Sequence, residues 1–216
     1  MGRYDWYRNR DWSVEIEAQF LAQLKRARKK AQYLRIQAGI LARSHPQTAL
    51  RLLDQYFSTS DEFDRSQAYY DQGTAFYALG DMEQAVAAFE RAVDREIEYP
   101  GVYSEACIEL PFLLATTGQT EKYPRALEIL SHRQNRLLFS THAFKWHAAS
   151  SLISASIGEI DAARLHAKAA LEFASLEHSG LPYHPSLGLV GPRFEELRQH
   201  LAGLARGGGP GRDGRC

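Results

Sequence analysis

Apolar residues recur every three or four positions along most of this chain, and strand-like alternation with β-branched residues is nearly absent, so the pattern predicts an all-α fold. Gly and Pro fall at intervals instead of clustering, and mark breaks between helices. A first helix is expected over residues 13–28. Ser13 can cap it, Glu15 and Glu17 suit its positive end, and Ile16, Phe20 and Leu24 line one face. Neither Gly nor Pro stands between residues 13 and 38, which leaves open an unbroken run into the next helix.

The pattern also repeats. Ala85 is followed by Phe89 and Ala92 and preceded by Gly73, Phe76, Gly80 and Asp81. Ala49 has Leu53 and Tyr56 at the same offsets, with Ser44 before it, and Ala163 has Ala167 and Ala170, with Gly158 before it. Ala126 has Leu130, and its Gly118 stands three residues further back. The anchors at 49, 85, 126 and 163 therefore imply a unit of two helices and a short turn, recurring near residues 31–57, 66–99, 103–133 and 144–175. The turn chemistry agrees. Gly80 suits a left-handed helix end, Asp81 can cap the next helix, and Gln84 completes a capping-box pattern. Ser44 with Gln47 is expected to repeat the device, with Pro46 in the first turn. Small residues at 73, 85 and 92 allow close helix approach, with Phe76 and Phe89 filling the space beside them.

Tyr69, Gly73, Phe76, Gly80, Asp81, Ala85, Phe89 and Ala92 resemble the tetratricopeptide repeat, and the remaining units resemble it more loosely. The helix-breaking Pro of that repeat is displaced to Pro100. The resemblance covers residues 31–175 and implies a superhelical array of antiparallel helix pairs, an α-solenoid, whose concave groove is lined mainly by the first helix of each pair. Carried over position by position, it places Gln67, Tyr70, Thr74 and Tyr77 in the groove, with Glu105, Ile108 and Phe112 from the third unit and Lys145 and Leu152 from the fourth. The first unit would add Leu34, Ala38 and Leu41. Chaperone-binding members of the family grip a terminal carboxylate with Lys and Asn. Here those places hold Leu34, Ala38, Tyr70 and Thr74, so no such clamp is expected. The resemblance implies a protein-interaction scaffold that holds a peptide or partner helix. An apolar edge on such an array also leaves self-association open.

The ends of the chain differ from this middle. Residues 1–12 are aromatic and basic, residues 177–204 hold a Pro- and Gly-rich loop and then a helix with Phe194, Leu197, Leu201 and Leu204 at helical spacing, and residues 205–216 have the composition of a disordered tail. The helix is expected to cap the array. Across 216 residues Lys+Arg and Asp+Glu are both 26, and this balance argues against a protein whose main partner is bulk nucleic acid or an anionic membrane. The polar N-terminus and the lack of long apolar runs predict a cytoplasmic protein without a membrane span, and Cys107 and Cys216 form no disulfide framework or metal-ligand spacing.

Candidate chemistry is sparse. No nucleotide-binding, zinc-protease or hydrolase motif occurs, so no enzyme, metal or cofactor is expected. His178 and His184 flank a turn without supporting ligands, His142 and His147 are off the spacing that puts two ligands on one helical face, and His166 is expected to pack or face solvent. Cys107 reads as a structural thiol, and Glu96 and Glu98 as solvated helix charges. The competing functional signal is KRARKK, residues 25–30, with Arg3, Tyr4, Trp6, Tyr7, Arg8, Arg10 and Trp12 upstream. Arginine with aromatics can bind phosphate and stack bases, which makes a nucleic-acid-associated helical regulator the second reading. Against it stands a solvated helix face beside an aromatic plug packed on the first unit.

Overall fold

The structure is a computed structural model and describes residues 5–99, 101, 103–132 and 137–207. Arg3, Tyr4, Pro100 and Cys216, with the tail from residue 208 on, lie outside the described residues. The described residues are all-helical. In chain order the helices are α1 (Val14–Arg26), α2 (Lys30–Leu41), α3 (Pro46–Phe57), α4 (Arg65–Ala78), α5 (Met82–Glu98), α6 (Ala106–Thr116), α7 (Tyr123–His132), α8 (Ser140–Ser156), α9 (Ile160–Ala174) and α10 (Glu195–Arg206). The chain divides into two compact units, Met1–Ala106 and Cys107–Cys216, where the sequence pattern draws no boundary inside its array. Among the described residues no helix is long and apolar enough to cross a membrane.

The repeat anchors are interior joints. Ala49, Ala85, Ala126 and Ala163 are buried, as are Leu53, Phe89, Leu130 and Ala167 one turn later. Packing is strongest between α2 and α3, between α4 and α5, and between α8 and α9, each pair adjacent in sequence. The close approach in α4–α5 depends on Gly73, where an added Cβ would lie 2.7 Å from the Phe89 ring. Gly73→Ala is therefore expected to destabilise the chain by about 1–3 kcal/mol, and Phe89→Leu in the same background to restore part of the loss, both read by urea denaturation.

One turn design recurs three times. Gly80 sits at φ +79° and donates to the Tyr77 carbonyl while the Asp81 N–H reaches back to Phe76, the paired bonds of a Schellman cap. Gly118 with Gln119 and Gly158 with Glu159 make the same pair of bonds. After Gly118 the three extra residues form a 3-10 turn, Thr120–Lys122, before α7 begins. Asp81 caps α5 by accepting from the Gln84 N–H at 3.1 Å. The other half of the expected capping box is preempted, because the Asp81 N–H already serves the Schellman turn.

Two local expectations are corrected, and one left open is decided. Ser44 does not cap α3; His45 stands at that position, with no side-chain cap bond. The run from residue 13 to 38 is broken at Ala27, whose extended ψ of 144° turns the chain back so that Phe20 and Leu24 join a core with Leu34, Ala38 and Leu41. Burial of that apolar face outweighs the helical propensity of the connecting residues. Glu96 is not a solvated charge. It is fully buried and accepts from the Ser104 N–H (2.8 Å) and Ser104 Oγ (2.6 Å), which ties the chain leading into α6 to the end of α5.

In the first unit the N-terminal segment is an aromatic plug. Trp6, Tyr7 and Trp12 pack against Phe20 and Tyr33, with ring centroids 4.5–5.6 Å apart. Buried Gln37 grips the plug through the backbone of Asn9: the Asn9 N–H donates to Gln37 Oε1 (3.0 Å) and Gln37 Nε2 to the Asn9 carbonyl (2.7 Å). Gln37 occupies the position where the repeat at residues 66–99 has Gly73, so the departure from the repeat pattern holds the plug in place. In the second unit α10 packs on α9, with Leu201 fully buried beside Phe144 and Ala170. The 177–191 loop reaches α8, where the Gly188 carbonyl accepts from the Thr141 N–H (2.8 Å) and Ser140 Oγ (2.9 Å) and so caps its first turn.

Candidate functional site

The predicted groove residues divide between the units, with Gln67, Tyr70, Thr74, Tyr77 and Glu105 in the first and Ile108, Phe112, Lys145 and Leu152 in the second. Their surroundings differ. Tyr77 is 49% exposed, Gln67 and Tyr70 are half-buried, and Glu105 is exposed. Tyr70 Oη donates to Glu105 Oε2 at 3.2 Å, and its ring meets Phe89 at 5.7 Å. Thr74, Ile108 and Lys145 are buried, and so are Leu34, Ala38 and Leu41, which corrects their expected exposure. For the three α2 residues the cause is the core they share with Phe20 and Leu24 of α1. In the second unit Phe112 and Leu152 are half-buried. Lys145 pairs with Glu109, and its ammonium lies 5.6 Å from the centre of the Phe112 ring.

Asp71 was not singled out by sequence reasoning. It is 5% exposed, Gln67 Nε2 donates to its Oδ1 at 3.0 Å, and Oδ2 has no hydrogen-bond partner among the described residues. Oδ2 lies 2.7 Å from where a Cβ on Gly39 would stand, so α2 carries Gly opposite this carboxyl. Burial pushes the Asp71 pKa up to about 7, Asp64 and Glu105 add to the rise, and the Gln67 hydrogen bond and the Arg35 charge oppose it. The signal was present in the spacing, since Asp71 falls three residues after Ala68 and four before Ala75, on the buried face of α4.

The second overlooked cluster lies in α8–α9. His147 Nδ1 and His166 Nδ1 are 3.0 Å apart, so one ring donates and the other accepts. Trp146 meets both rings edge-on and Phe173 stacks on His147. Burial, then the neighbouring His166, lowers the His147 pKa to about 4, and burial lowers that of His166. Both rings are therefore neutral near pH 7. The Gly158 turn brings these residues face to face, whereas the spacing of His142 and His147 within one helix holds no such information. His178 and His184 are exposed, and no group of three or more metal-ligating side chains occurs among the described residues.

The basic run takes a defined place. Arg28, Lys29 and Lys30, with Ala31 and Gln32, form one wall of a cleft of about 650 Å³, and Thr59, Ser60, Asp61, Phe63 and Asp64 from the α3–α4 loop form the other. The two acidic residues are engaged by the scaffold. Asp61 Oδ1 accepts from the Phe63 N–H (3.1 Å), the Asp64 N–H (3.4 Å) and Tyr56 Oη (3.2 Å). Asp64 pairs with Arg35 at 3.6 Å. No family model matches the chain, and no curated protein or solved structure matches it.

Proposed function

We propose that the protein is an interaction scaffold. Its helix pairs act as tetratricopeptide-like units of an α-solenoid, and the face carrying the first helix of each pair holds a peptide or a partner helix. The observation that supports this reading best is the division of labour on α4. Ala68, Gly73 and Ala75 are buried as joints, while Gln67, Tyr70 and Tyr77 keep access to the surface, Tyr70 with its hydroxyl on the Glu105 carboxylate. Large aromatics kept at a surface, with polar neighbours, are the side chains that dominate protein-protein contacts. No catalytic step belongs to this reading.

Affinity capture with the full chain from its source cell is expected to return a stoichiometric polypeptide. Tyr70→Ala with Tyr77→Ala is expected to weaken that capture about tenfold or more, as loss of interface aromatics does, without changing the helical circular dichroism. Equal capture by the double variant would remove α4 from the interface.

A further inference from the structure

We propose that the cleft between the α1–α2 turn and the α3–α4 loop binds a phosphorylated nucleoside unit, its phosphate held by Arg28, Lys29 and Lys30 and its base laid on Phe63. This goes beyond the scaffold reading and is independent of it, since none of these residues lies among the α4 surface residues.

Three observations converge on this ligand. The first is charge. Arg28, Lys29 and Lys30 are exposed and make no ion pair among the described residues, whereas Asp61 and Asp64 on the facing wall are occupied by the Phe63 and Asp64 N–H groups, Tyr56 and Arg35. Three cations thus stand against two carboxylates, one of them already paired with Arg35, so the cleft of a chain with zero formal net charge presents a net positive charge. The second is the exposed ring. Phe63 is 77% exposed on the cleft wall, while Phe57, the last residue of α3, stacks on Tyr69 at 4.8 Å. An aromatic left open beside cations offers a stacking surface, and every base has a π-face to meet it. The third is shape. A volume of about 650 Å³ lies in the range of small-ligand sites, about 300–1,000 Å³. Gln32 and Ser60 on its walls supply polar groups for a sugar. The α2 N-terminus, with Lys29 at the cap position, no side-chain cap bond and no acidic residue in its first turn, adds its partial positive charge at the same place.

Bare phosphate chemistry would use the cations alone, whereas a nucleoside phosphate also needs the ring. The nucleoside unit can be a mononucleotide or one unit of a single strand, and these sources separate in one experiment. Fluorescence anisotropy of the full chain is followed with ribose-labelled adenosine diphosphate and with a labelled single-stranded oligonucleotide, at low and raised salt, with inorganic pyrophosphate as competitor. Saturable binding that weakens with salt is expected. Arg28→Gln with Lys29→Gln and Lys30→Gln is expected to weaken it about tenfold or more, and Phe63→Ala about tenfold with little change in the affinity for pyrophosphate. These residues are exposed, so circular dichroism of both variants should match the parent. Tighter binding of the oligonucleotide assigns the source to a strand, and equal or tighter binding of the diphosphate assigns it to the mononucleotide. The proposal is overturned if neither probe binds, if the triple variant binds like the parent, or if Phe63→Ala leaves nucleotide affinity unchanged. The last result would make the site one for bare anions. None of these outcomes bears on capture through Tyr70 and Tyr77.

Discussion

Asp71→Asn is expected to stabilise the unit formed by residues 1–106 by about 4 kcal/mol at pH values above about 8, and to change its stability little near pH 4. The direction follows from proton linkage. The folded carboxyl titrates near 7 against an ordinary value of 3.8, so between those values the folded state binds the proton that the unfolded chain has released. Stability is full below about 4 and falls as pH rises towards about 7, where the folded carboxyl must also ionise, buried and with Oδ2 unpartnered. An amide of the same shape has no charge to desolvate and can still accept from Gln67. Urea denaturation over a pH series, with hydrogen exchange by mass spectrometry on α4 peptides, reads the effect. A parent protein with no loss of α4 protection between acid and neutral pH, or an Asn variant that follows the parent, would contradict it.

The second unit is expected to respond to pH in the opposite direction. His147 and His166 have folded pKa values below the ordinary 6.5, that of His147 at about 4. Their contribution is fully present above about 6.5 and is lost as pH falls towards about 4, because the unfolded chain takes up protons that the folded pair refuses. Partial solvent access reduces the size, leaving about 2 kcal/mol of acid destabilisation. His147→Phe with His166→Phe keeps the rings against Trp146 and Phe173 and removes the titration. It is expected to flatten the acid limb of exchange protection in α8 and α9. An unchanged acid limb in the double variant would place the titration elsewhere.

The helical pairing was legible because it rests on local chemistry. The Gly-Asp step at 80–81 encodes a left-handed helix end and a cap within a few residues, and Ala85, Phe89 and Ala92 encode a buried stripe by spacing alone. What escaped were features set by distant partners. Gln37 looks like a poor repeat residue until Asn9 is brought beside it. The break at Ala27 carries no Gly or Pro, and arises because Phe20 and Leu24 fold back onto the α2 core. Glu96 has the composition of a surface charge, and its burial depends on Ser104, on the far side of a connection that no periodicity describes. For the candidate sites, Tyr77 could be placed at the surface from its register, but Thr74 and Lys145 could not be distinguished from it. The meeting of the basic run with Phe63 required the α3–α4 loop to be in position.

The three glycine-ended turns also bear on how the chain reaches its structure. Those at Gly80 and Gly158 join helices that are neighbours in sequence and that pack more closely with each other than with anything else. Little chain must be closed before such a pair forms its contacts, so loop-closure entropy delays it little. Helical proteins dominated by local contacts fold in microseconds to milliseconds. The α4–α5 and α8–α9 hairpins can therefore start folding separately, each from its own turn, and a slow step belongs to the long-range closures: the N-terminal plug reaching Gln37, and the 177–191 loop reaching the start of α8.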